Sequence, residues 1–253
     1  MTAAKRHEGR RVLISGGTSG IGLAAARRFL EEGASVCLLG SNDRTVSDAL
    51  TELEPLAVPG PLVGTACDVS REEEVAAAIE LAATGLGGLD IAFINAGIDG
   101  EAKPALELDP GHLRRVLEVN VVGAFLVATG AARLMGREGR LIFNASVNAI
   151  RPEKLFADYN ASKAAVASLA QTMALELADR GIVSLAICPG YVPTRMTAPY
   201  MEDPATAEEL LADVPAGRFS SGEEVAGLVS FLAGEGGAYM TGSLVNIDGG
   251  RSI

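Results

Sequence analysis

The sequence predicts an α/β protein built on a doubly wound parallel sheet of seven strands, with helices on both faces. Short runs rich in Val, Ile and Leu alternate with longer helical patterns along the chain, an order typical of βαβ units. The short runs show little alternation of apolar and polar residues, as strands covered on both faces require. A glycine-rich turn joins the first short run to the first helical pattern, where such a fold places a tight connection.

The individual elements follow from these patterns in chain order. Strands are predicted over residues 11–15, 35–39, 62–66, 89–94, 140–144, 182–187 and 243–247. Helices are predicted over residues 20–32, 43–54, 71–84, 111–135, 157–180 and 221–234. Two of these helices carry start signals, because Ser70 and Ser221 each precede a pair of glutamates.

The whole chain, residues 1–253, is predicted to form a single domain, since no repeat, low-complexity tract or linker divides it. One connection stands out. Residues 189–217 are rich in proline, contain no clear strand and are longer than an ordinary connection. Connections of that length in a compact domain are usually functional. We therefore expect a substrate loop over about residues 191–217.

Composition and charge exclude several classes of protein. A hydrophobic content of 48% with 21% charged residues is ordinary for a globular chain and excludes disorder as the main state. The formal net charge of −11 should repel phosphate backbones, so no nucleic-acid partner is expected. No run of apolar residues without charge is long enough to span a membrane, so no membrane association is expected either.

Histidines and cysteines give no sign of a metal site or a disulfide framework. His7 and His112 are isolated in the sequence, so no metal site is predicted. Cys37, Cys67 and Cys188 are far apart, lack a Cys-x-x-Cys spacing and lie in apolar runs. They are interpreted as buried, reduced thiols of a cytoplasmic protein.

The glycine-rich turn over residues 15–22 points to a nucleotide. Small residues there let the backbone approach a pyrophosphate, and the helix that follows offers free N–H groups and the positive end of its dipole. Gly20, Gly22 and Ala25 match the GxGxxG/A pattern of Rossmann-type turns between a strand and a helix. The alternative is a glycine turn that only shapes the chain.

The end of the second predicted strand should meet the adenosine ribose of such a nucleotide. NAD-selective sites generally place an acidic residue there, and Gly40 cannot serve that purpose. Ser41, Asn42 and Arg44 follow it, and a hydroxyl or guanidinium there could bind an additional phosphate. The pattern favours NADP slightly over NAD, although Arg44 could equally be a solvated helix residue.

Two further residues suggest acid–base chemistry, and the resemblance given below adds Ser146 and Asn120 to them. Tyr159 and Lys163 are four residues apart on a predicted helix and so share one face. A free phenol has a pKa of about 10, and a nearby ammonium together with an oxidised nicotinamide would lower that pKa toward neutrality. Ser146 and Asn120 lie upstream. The alternative interpretation makes Tyr159 a core aromatic and Lys163 a solvated side chain.

Taken in order, these motifs resemble the short-chain dehydrogenase/reductase family, in its single-domain branch, over essentially the whole chain. The resemblance also covers Asp68 in Cys67-Asp68-Val69, the element Asn95-Ala96-Gly97, the pair Pro189-Gly190, and Thr194. The chain departs from the family pattern at Ser15, which replaces the usual Thr. It departs again at Ile94, which replaces an Asn and should remove a hydrogen bond at the sheet end.

The resemblance implies a role for each matched residue. Tyr159 would protonate the carbonyl oxygen, Ser146 would hold that oxygen, and Lys163 would also bind the nicotinamide ribose. Asn120 would bind a water that links Lys163 to solvent. The cofactor contacts expected from the motifs are Gly16, Thr18, Ser19, Gly20, Ile21, Gly22, Ser41, Asn42, Arg44, Asp68, Val69, Asn95, Ala96, Gly97, Tyr159, Lys163, Pro189, Gly190, Val192 and Thr194.

The substrate cleft is expected between residues 147–158 and residues 191–217. Arg151, Lys154 or Arg195 could bind a polar or anionic substrate, but solvated charges or subunit contacts are the favoured interpretation. Asp99 and Glu101 are likewise interpreted as part of a solvated loop rather than as a hydroxyl-binding pair.

The leading functional hypothesis is an NAD(P)(H)-dependent oxidoreductase that interconverts a ketone and a secondary alcohol. The resemblance implies 3-oxoacyl or polyketide intermediates, sugars or cyclic alcohols as substrates, and a homotetramer built through residues 111–135, residues 157–180 and the C-terminal segment. One alternative is a catalytically silent nucleotide-binding regulatory or scaffold protein of the same fold. Another is an epimerase or dehydratase, which would usually need a substrate domain for which this chain leaves no room.

Overall fold

A computed structural model describes residues 5–56 and 60–253. Residues 1–4 and 57–59 belong to the predicted single domain but lie outside the described residues. The strands are β1 Arg11–Ser15, β2 Ser35–Gly40, β3 Leu62–Ala66, β4 Leu89–Ile94, β5 Met135–Asn144, β6 Val183–Pro189 and β7 Leu244–Ile247. They form one seven-stranded sheet in the order β3-β2-β1-β4-β5-β6-β7, with every pair parallel. The predicted α/β sheet is confirmed.

Helices cover both faces of this sheet. They are α1 Gly20–Glu31, α2 Asp43–Leu53, α3 Glu72–Leu86, α4 Pro110–Leu117, α5 Gly123–Leu134, α6 Ala157–Leu177, α7 Ala198–Met201, α8 Pro204–Ala212 and α9 Gly222–Ala233. Apolar side chains of α1, α2 and α9 form one core with one face of the strands. Those of α3, α5 and α6 form a second core on the other face. The strands are therefore buried on both sides, which explains their nearly continuous apolar character.

The strand order reverses direction between β1 and β4. Ser15 at the end of β1 pairs with Leu39 on one side and with Ile94 on the other. The connections that leave β1 and β4 pass to opposite faces and separate at this point, which opens a crevice at the carboxyl ends of the strands. In doubly wound sheets, ligands bind in this crevice.

The single helix predicted over residues 111–135 is interrupted. A π-helical turn, Glu118–Val122, separates α4 from α5. A π turn carries one more residue than an α turn and often occurs at functional sites. The combined run Pro110–Leu134 has the length and composition of a membrane span, and its most apolar window has a mean hydropathy of 1.4, but half of that window is buried inside the protein. That burial is typical of a core helix.

The expected loop over residues 189–217 contains two short helices, α7 and α8. Asp203 caps α8 by accepting a hydrogen bond from the backbone N–H of Thr206, and Pro204 occupies the first turn. No residue of either helix is fully buried. The apolar periodicity that reveals a helix in a sequence is therefore weak here, which is why sequence analysis predicted a loop.

The remaining differences concern β5, which begins five residues earlier than the predicted strand at 140–144. Its additional residues pair irregularly with β4, with a register shift between Leu89 and Ile91. Glu138 in this part has a φ of 68°, a conformation that side chains rarely adopt. The regular part of the strand is the one that its sequence predicts.

Histidine and cysteine residues lie mostly in the interior. His7 contacts Ser230, with 3.2 Å between Nε2 and Oγ, and His112 lies 2.9 Å from the buried carboxylate of Asp158. Cys37, Cys67 and Cys188 are free and buried. Within the described residues, no group of three or more potential ligands is arranged to hold a metal ion.

Candidate active site

A cavity of about 730 Å³ opens at the carboxyl ends of the strands. The glycine turn, the ends of β2, β3, β4, β5 and β6, and the segment that leads into α7 all contribute to its lining. Its position is the crevice next to the reversal of strand order. The sequence motifs that are far apart along the chain therefore line one continuous space.

The glycine turn packs too tightly for larger side chains. A Cβ atom on Gly22 would lie well inside contact distance of the carbonyl oxygen of Gly16. Gly16 itself has a φ of 63°, and a Cβ there would lie 2.9 Å from Cα of Ala96. Gly16 and Gly20 line the cavity, whereas Gly22 lies behind it. Gly22 therefore shapes the turn rather than contacting a ligand.

Helix α1 directs its N-terminus at the same cavity. Thr18, Ser19, Gly20 and Ile21 line it, and the first turn of the helix contains no acidic residue. Ser19 occupies the N-cap position but makes no side-chain capping hydrogen bond. Backbone N–H groups and the positive dipole end are thus presented without a competing carboxylate, an arrangement that fits the pyrophosphate of a dinucleotide.

The end of β2 has no space for an acidic residue. A Cβ on Gly40 would lie 2.5 Å from Cγ2 of Thr18 and 2.7 Å from Cγ2 of Val46. Ser41 lines the cavity as predicted. The other two predicted contacts do not: Asn42 caps α2 by accepting from the N–H of Thr45, and the side chain of Arg44 is 91% exposed beside Asp48.

Beside the end of β2, Asp68 and Val69 follow β3, and both line the cavity. The hydroxyl of Ser70 donates to Asp68 over 2.6 Å and holds the pKa of that carboxyl below its usual value. Arg115 from α4 also lines this end, with a guanidinium nitrogen 3.7 Å from Asp68. Sequence analysis missed Arg115 because a single arginine on an exposed helix face resembles a solvated residue.

The ends of β1 and β4 are held together by Asn95 and Ser15. The Asn95 side-chain amide donates to the carbonyl oxygens of Ser15 and Gly16, over 3.1 and 2.9 Å. The Ser15 hydroxyl accepts from the backbone N–H of Asn95, and Asn144 donates to Asn95 Oδ1. The expected loss of a sheet-end hydrogen bond at Ile94 stays a prediction, but Ser15 and Asn95 link the two strands directly. Asn95, Ala96 and Gly97 all line the cavity.

Ser146, Tyr159 and Lys163 lie together in the lining of the cavity. Ser146 follows β5, and its hydroxyl accepts from the backbone N–H of Asn148. Tyr159 and Lys163 project from one face of α6, with Nζ 5.5 Å from the centroid of the phenol ring. Nζ also donates to the carbonyl oxygen of Asn144 over 2.8 Å. A substrate oxygen beside Tyr159 would thus meet two hydroxyl groups and, behind them, an ammonium.

Burial controls the ionisation of both α6 residues. It lowers the pKa of Lys163 to about 8, so most of the lysine remains charged at neutral pH. Burial, reinforced by the charge of Asp99, raises the pKa of Tyr159 above its ordinary value. The chain's own groups therefore do not lower the pKa of Tyr159, and the predicted lowering with an oxidised nicotinamide bound stays a prediction. The low dielectric environment disfavours the phenolate more than Ser146 favours it.

Asn120 lies in the π-helical turn and does not line the cavity. Its side-chain amide donates to the carbonyl of Ile98 and to the hydroxyl of Ser162, over 2.9 and 3.0 Å. Its Oδ1 accepts from the backbone N–H of Ile98. Asn120 thus fixes the segment after β4 against α6, while its predicted binding of a water stays a prediction.

The segment after β6 covers the cavity from the side of α1. Pro189, Gly190, Val192 and Thr194 all line it. A Cβ added to Gly20 would lie only 3.0 Å from Cγ2 of Thr194, so this segment closes directly over the glycine turn.

The three predicted substrate-binding cations have different surroundings. Arg151 lies 3.4 Å from Asp213 and donates to the carbonyl oxygen of Arg251, so it makes structural contacts. Lys154 is exposed, and only Arg195 lines the cavity. The favoured interpretation of solvated charges or subunit contacts fits the exposed Lys154, whereas Arg151 makes contacts within its own chain.

Arg251 connects the two substrate segments, a role that sequence analysis missed. Its side chain is only 3% exposed, and it donates to Asn148 Oδ1 and to Glu153 Oε2, each over 3.1 Å. Its guanidinium lies 4.5 Å from the ring centroid of Tyr191, whose hydroxyl donates to Glu153. No local motif marks Arg251, because its partners lie about a hundred residues away in the chain.

Comparison with known proteins decides the family. A family profile described as "Enoyl-(Acyl carrier protein) reductase" matches residues 16–252. The chain belongs to the short-chain dehydrogenase/reductase family. It is 34% identical to glucose 1-dehydrogenase of Gluconobacter oxydans, over 98% of this chain and 94% of that one. It is 35% identical to 3beta-hydroxysteroid dehydrogenase 1 of Eggerthella lenta, over 97% and 95%.

Solved structures agree with this membership. A short chain dehydrogenase from Burkholderia cenocepacia J2315 in complex with NADP superposes with a TM-score of 0.91 at 31% identity, over 98% of this chain and all of that one. This member of the family is therefore an NAD(P)-dependent oxidoreductase acting on CH–OH groups. Nothing in these comparisons favours a catalytically silent scaffold.

Proposed function

We propose that this short-chain dehydrogenase/reductase interconverts a ketone and a secondary alcohol, with Tyr159 as the general acid and base. One observation carries the proposal: Ser146, Tyr159 and Lys163 line the same cavity as the glycine turn at the start of α1. A dinucleotide bound along that cavity would supply or accept a hydride at its nicotinamide ring.

The chain's own groups fit the proton-transfer half of this reaction. The raised pKa of Tyr159 keeps the phenol protonated at neutral pH, so it can donate to a substrate oxygen. The Ser146 hydroxyl would donate a second hydrogen bond to that oxygen. The Lys163 ammonium stabilises the phenolate that remains, while the Asn144 carbonyl holds Nζ in place. Asn120 would position this group from behind, through Ile98 and Ser162.

Cofactor preference is the next part of the proposal. NADP is favoured, because the crowded position of Gly40 excludes the acidic residue that would accept hydrogen bonds from an unphosphorylated ribose. Ser41 would contact the additional phosphate. Asn42 and Arg44 would have to leave their present contacts to take part, so they contribute less than the sequence suggests.

Assembly and location complete the proposal. The whole chain would act as one domain, with residues 191–217 as its substrate loop. The protein would form a homotetramer in the cytoplasm. The tetramer is supported by exposed apolar side chains on the helices expected at the interface, including Phe125, Leu134 and the 83%-exposed Leu175. The free, buried cysteines agree with a reducing compartment. Sedimentation analysis tests the tetramer.

Substitution of Tyr159→Phe tests the catalytic proposal. Loss of the proton donor should lower kcat by about 10²- to 10⁴-fold, because general acid catalysis contributes effects of that size. NADPH binding, followed by its fluorescence, should remain measurable, because the glycine turn is untouched. Ketone reduction by Tyr159→Phe at the wild-type rate would contradict the mechanism.

A further inference from the structure

Asp99 lies inside the cavity, not in a solvated loop. It lines the space together with Ser146 and Tyr159. The residue that follows it, Gly100, packs against Tyr159: a Cβ added to Gly100 would lie 3.1 Å from the Cβ of the tyrosine. Asp99 is therefore fixed beside the reacting end of the cavity, and the interpretation of this segment as a solvated loop is wrong for it.

The carboxyl group of Asp99 is held by two hydrogen bonds that orient it. Oδ1 accepts from the backbone N–H of Gly100 over 2.8 Å. Oδ2 accepts from the hydroxyl of Tyr200 over 3.1 Å. Tyr200 comes from α7 and also lines the cavity, where its ring meets Phe156 edge-on at 6.1 Å between centroids. A carboxylate has about four lone-pair sites, so it can accept further hydrogen bonds from the cavity.

The electrostatic surroundings of Asp99 are negative. Burial raises the pKa of its carboxyl, and the charges of Asp158 and Glu153 raise it further. The charge of Asp99 in turn helps to raise the pKa of Tyr159 and partly opposes the burial that lowers the pKa of Lys163, so it reaches the reacting groups. An anionic substrate would meet repulsion here, whereas a neutral group that donates a hydrogen bond would satisfy the carboxylate.

We propose that Asp99 and Tyr200 bind a second hydroxyl group of the substrate, which makes neutral hydroxyketones and diols the preferred substrate class. The hydroxyl donates to Asp99, and Tyr200 holds the carboxylate in the orientation that accepts it. This inference rests on the proposed oxidoreductase function, because it places the second hydroxyl relative to a carbonyl at Tyr159. Asp99 is thus a specificity-determining residue, and it takes no part in proton transfer.

The test compares cyclohexanone with 2-, 3- and 4-hydroxycyclohexanone in the presence of NADPH. In the wild type, at least one hydroxyketone should have a higher kcat/KM than cyclohexanone. In Asp99→Ala, the ratio of these two values should fall by about 10- to 100-fold, because hydrogen bonds to charged groups contribute effects of that size. Tyr200→Phe should lower the same ratio by a smaller factor, since it loosens the carboxylate without removing it.

For an anionic substrate, removal of the Asp99 charge should raise kcat/KM instead of lowering it. The measured quantity is kcat/KM for the anion 4-oxocyclohexane-1-carboxylate divided by kcat/KM for its neutral methyl ester. This ratio should rise in Asp99→Asn, because the charge that repels the anion is gone. Glu107→Gln is the matched control: it removes one negative charge from an exposed position in the same connection and should leave both ratios unchanged. Equal effects of Asp99→Asn and Glu107→Gln would overturn the proposal.

A binding experiment separates this inference from the catalytic one. Calorimetry on the NADP⁺ complex of Tyr159→Phe compares cyclohexanol with the cyclohexanediols, without any need for turnover. Tighter binding of a diol that is lost in Tyr159→Phe/Asp99→Ala supports the hydroxyl site. Equal affinities of cyclohexanol and every diol overturn it, whatever becomes of the catalytic role of Tyr159.

Discussion

The two halves of the cavity are built by different means. The dinucleotide half has a centre of backbone, formed by Gly16, Gly20 and the N-terminus of α1 from one short stretch of chain, and Ser41, Asp68 and Asn95 add side chains around it. The substrate half consists of side chains that reach across long sequence separations, as in the contact of Arg251 with Asn148 and that of Tyr200 with Asp99. The dinucleotide half tolerates few substitutions at its glycine positions. The substrate half depends on networks of side-chain contacts, whose residues can be substituted one at a time.

The largest expected effect lies in the backbone half. In Gly22→Ala, the new Cβ would collide with the carbonyl oxygen of Gly16, and backbone atoms cannot rotate away as a side chain would. We expect a loss of about 3 kcal/mol or more in the free energy of unfolding, together with a large loss of NADPH affinity. Thermal unfolding and NADPH fluorescence titration measure the two effects.

Gly227→Ala is the control for this substitution. Gly227 lies within α9, and among the described residues no atom beyond its own stretch of helix lies within 4 Å of a Cβ placed there. Alanine should stabilise that helix by about 0.5–1 kcal/mol. If Gly22→Ala and Gly227→Ala behaved alike, the contrast between a backbone half and a side-chain half would lose its basis.

An intermediate effect is expected in the side-chain half. Arg251→Ala leaves acceptors of Asn148 and Glu153 without their donor, at a cost of about 2 kcal/mol in stability. Because the two substrate segments lose their link, KM for the ketone should rise more than Kd for NADPH. Steady-state kinetics and cofactor titration on one preparation compare the two constants.

Arg27→Ala offers a matched arginine outside the cavity. Arg27 pairs with Glu52 over 2.6 Å, but the two side chains are 40% and 49% exposed, and such surface pairs contribute about 0–1 kcal/mol. In Arg27→Ala, KM for the ketone and Kd for NADPH should both remain unchanged. In Arg251→Ala, by contrast, a rise in Kd for NADPH as large as the rise in KM for the ketone would show that the dinucleotide half and the substrate half of the cavity are not separable.

The smallest effect concerns Lys163, which belongs to both halves. Its pKa of about 8 in the protein means that the ammonium is present below pH 8 and is lost as the pH rises through it. An anionic dinucleotide favours the charged form of Lys163, so NADPH affinity should decline between about pH 7 and pH 9. The loss of one proton limits the decline to about tenfold per pH unit. The decline should be absent in Lys163→Met. A pH-independent affinity in the wild type would remove Lys163 from the cofactor site.

The same contrast explains what the sequence could predict. Gly16, Ser146, Tyr159 and Lys163 lie in motifs of fixed spacing, so their meeting in one cavity follows once the parallel sheet is predicted. The sheet itself was predictable because its strands are buried on both faces. Arg115 and Arg251 carry no local signal, since their significance depends on partners that only the fold supplies.

Two further features were out of reach for a related reason. The π turn at Glu118–Val122 changes the register of a helix without changing its composition. The raised pKa of Tyr159 depends on burial and the charges of Asp99 and Glu153, which raise it, against the Ser146 hydrogen bond, which lowers it, and that balance is a property of three-dimensional distances. Residue spacing indicates which groups meet; their ionisation depends on how much solvent the fold excludes.

The crowded position of Gly40 has a consequence for protein engineering. A single acidic substitution at Gly40, intended to change the cofactor preference, would displace the methyl groups of Thr18 and Val46. Positions 18, 40 and 46 therefore form an epistatic set, in which a change that is harmful alone becomes acceptable only after the other two are reduced in size. A combinatorial library that varies all three positions together offers a route to NAD use. Substitution of Gly40 alone does not provide that route.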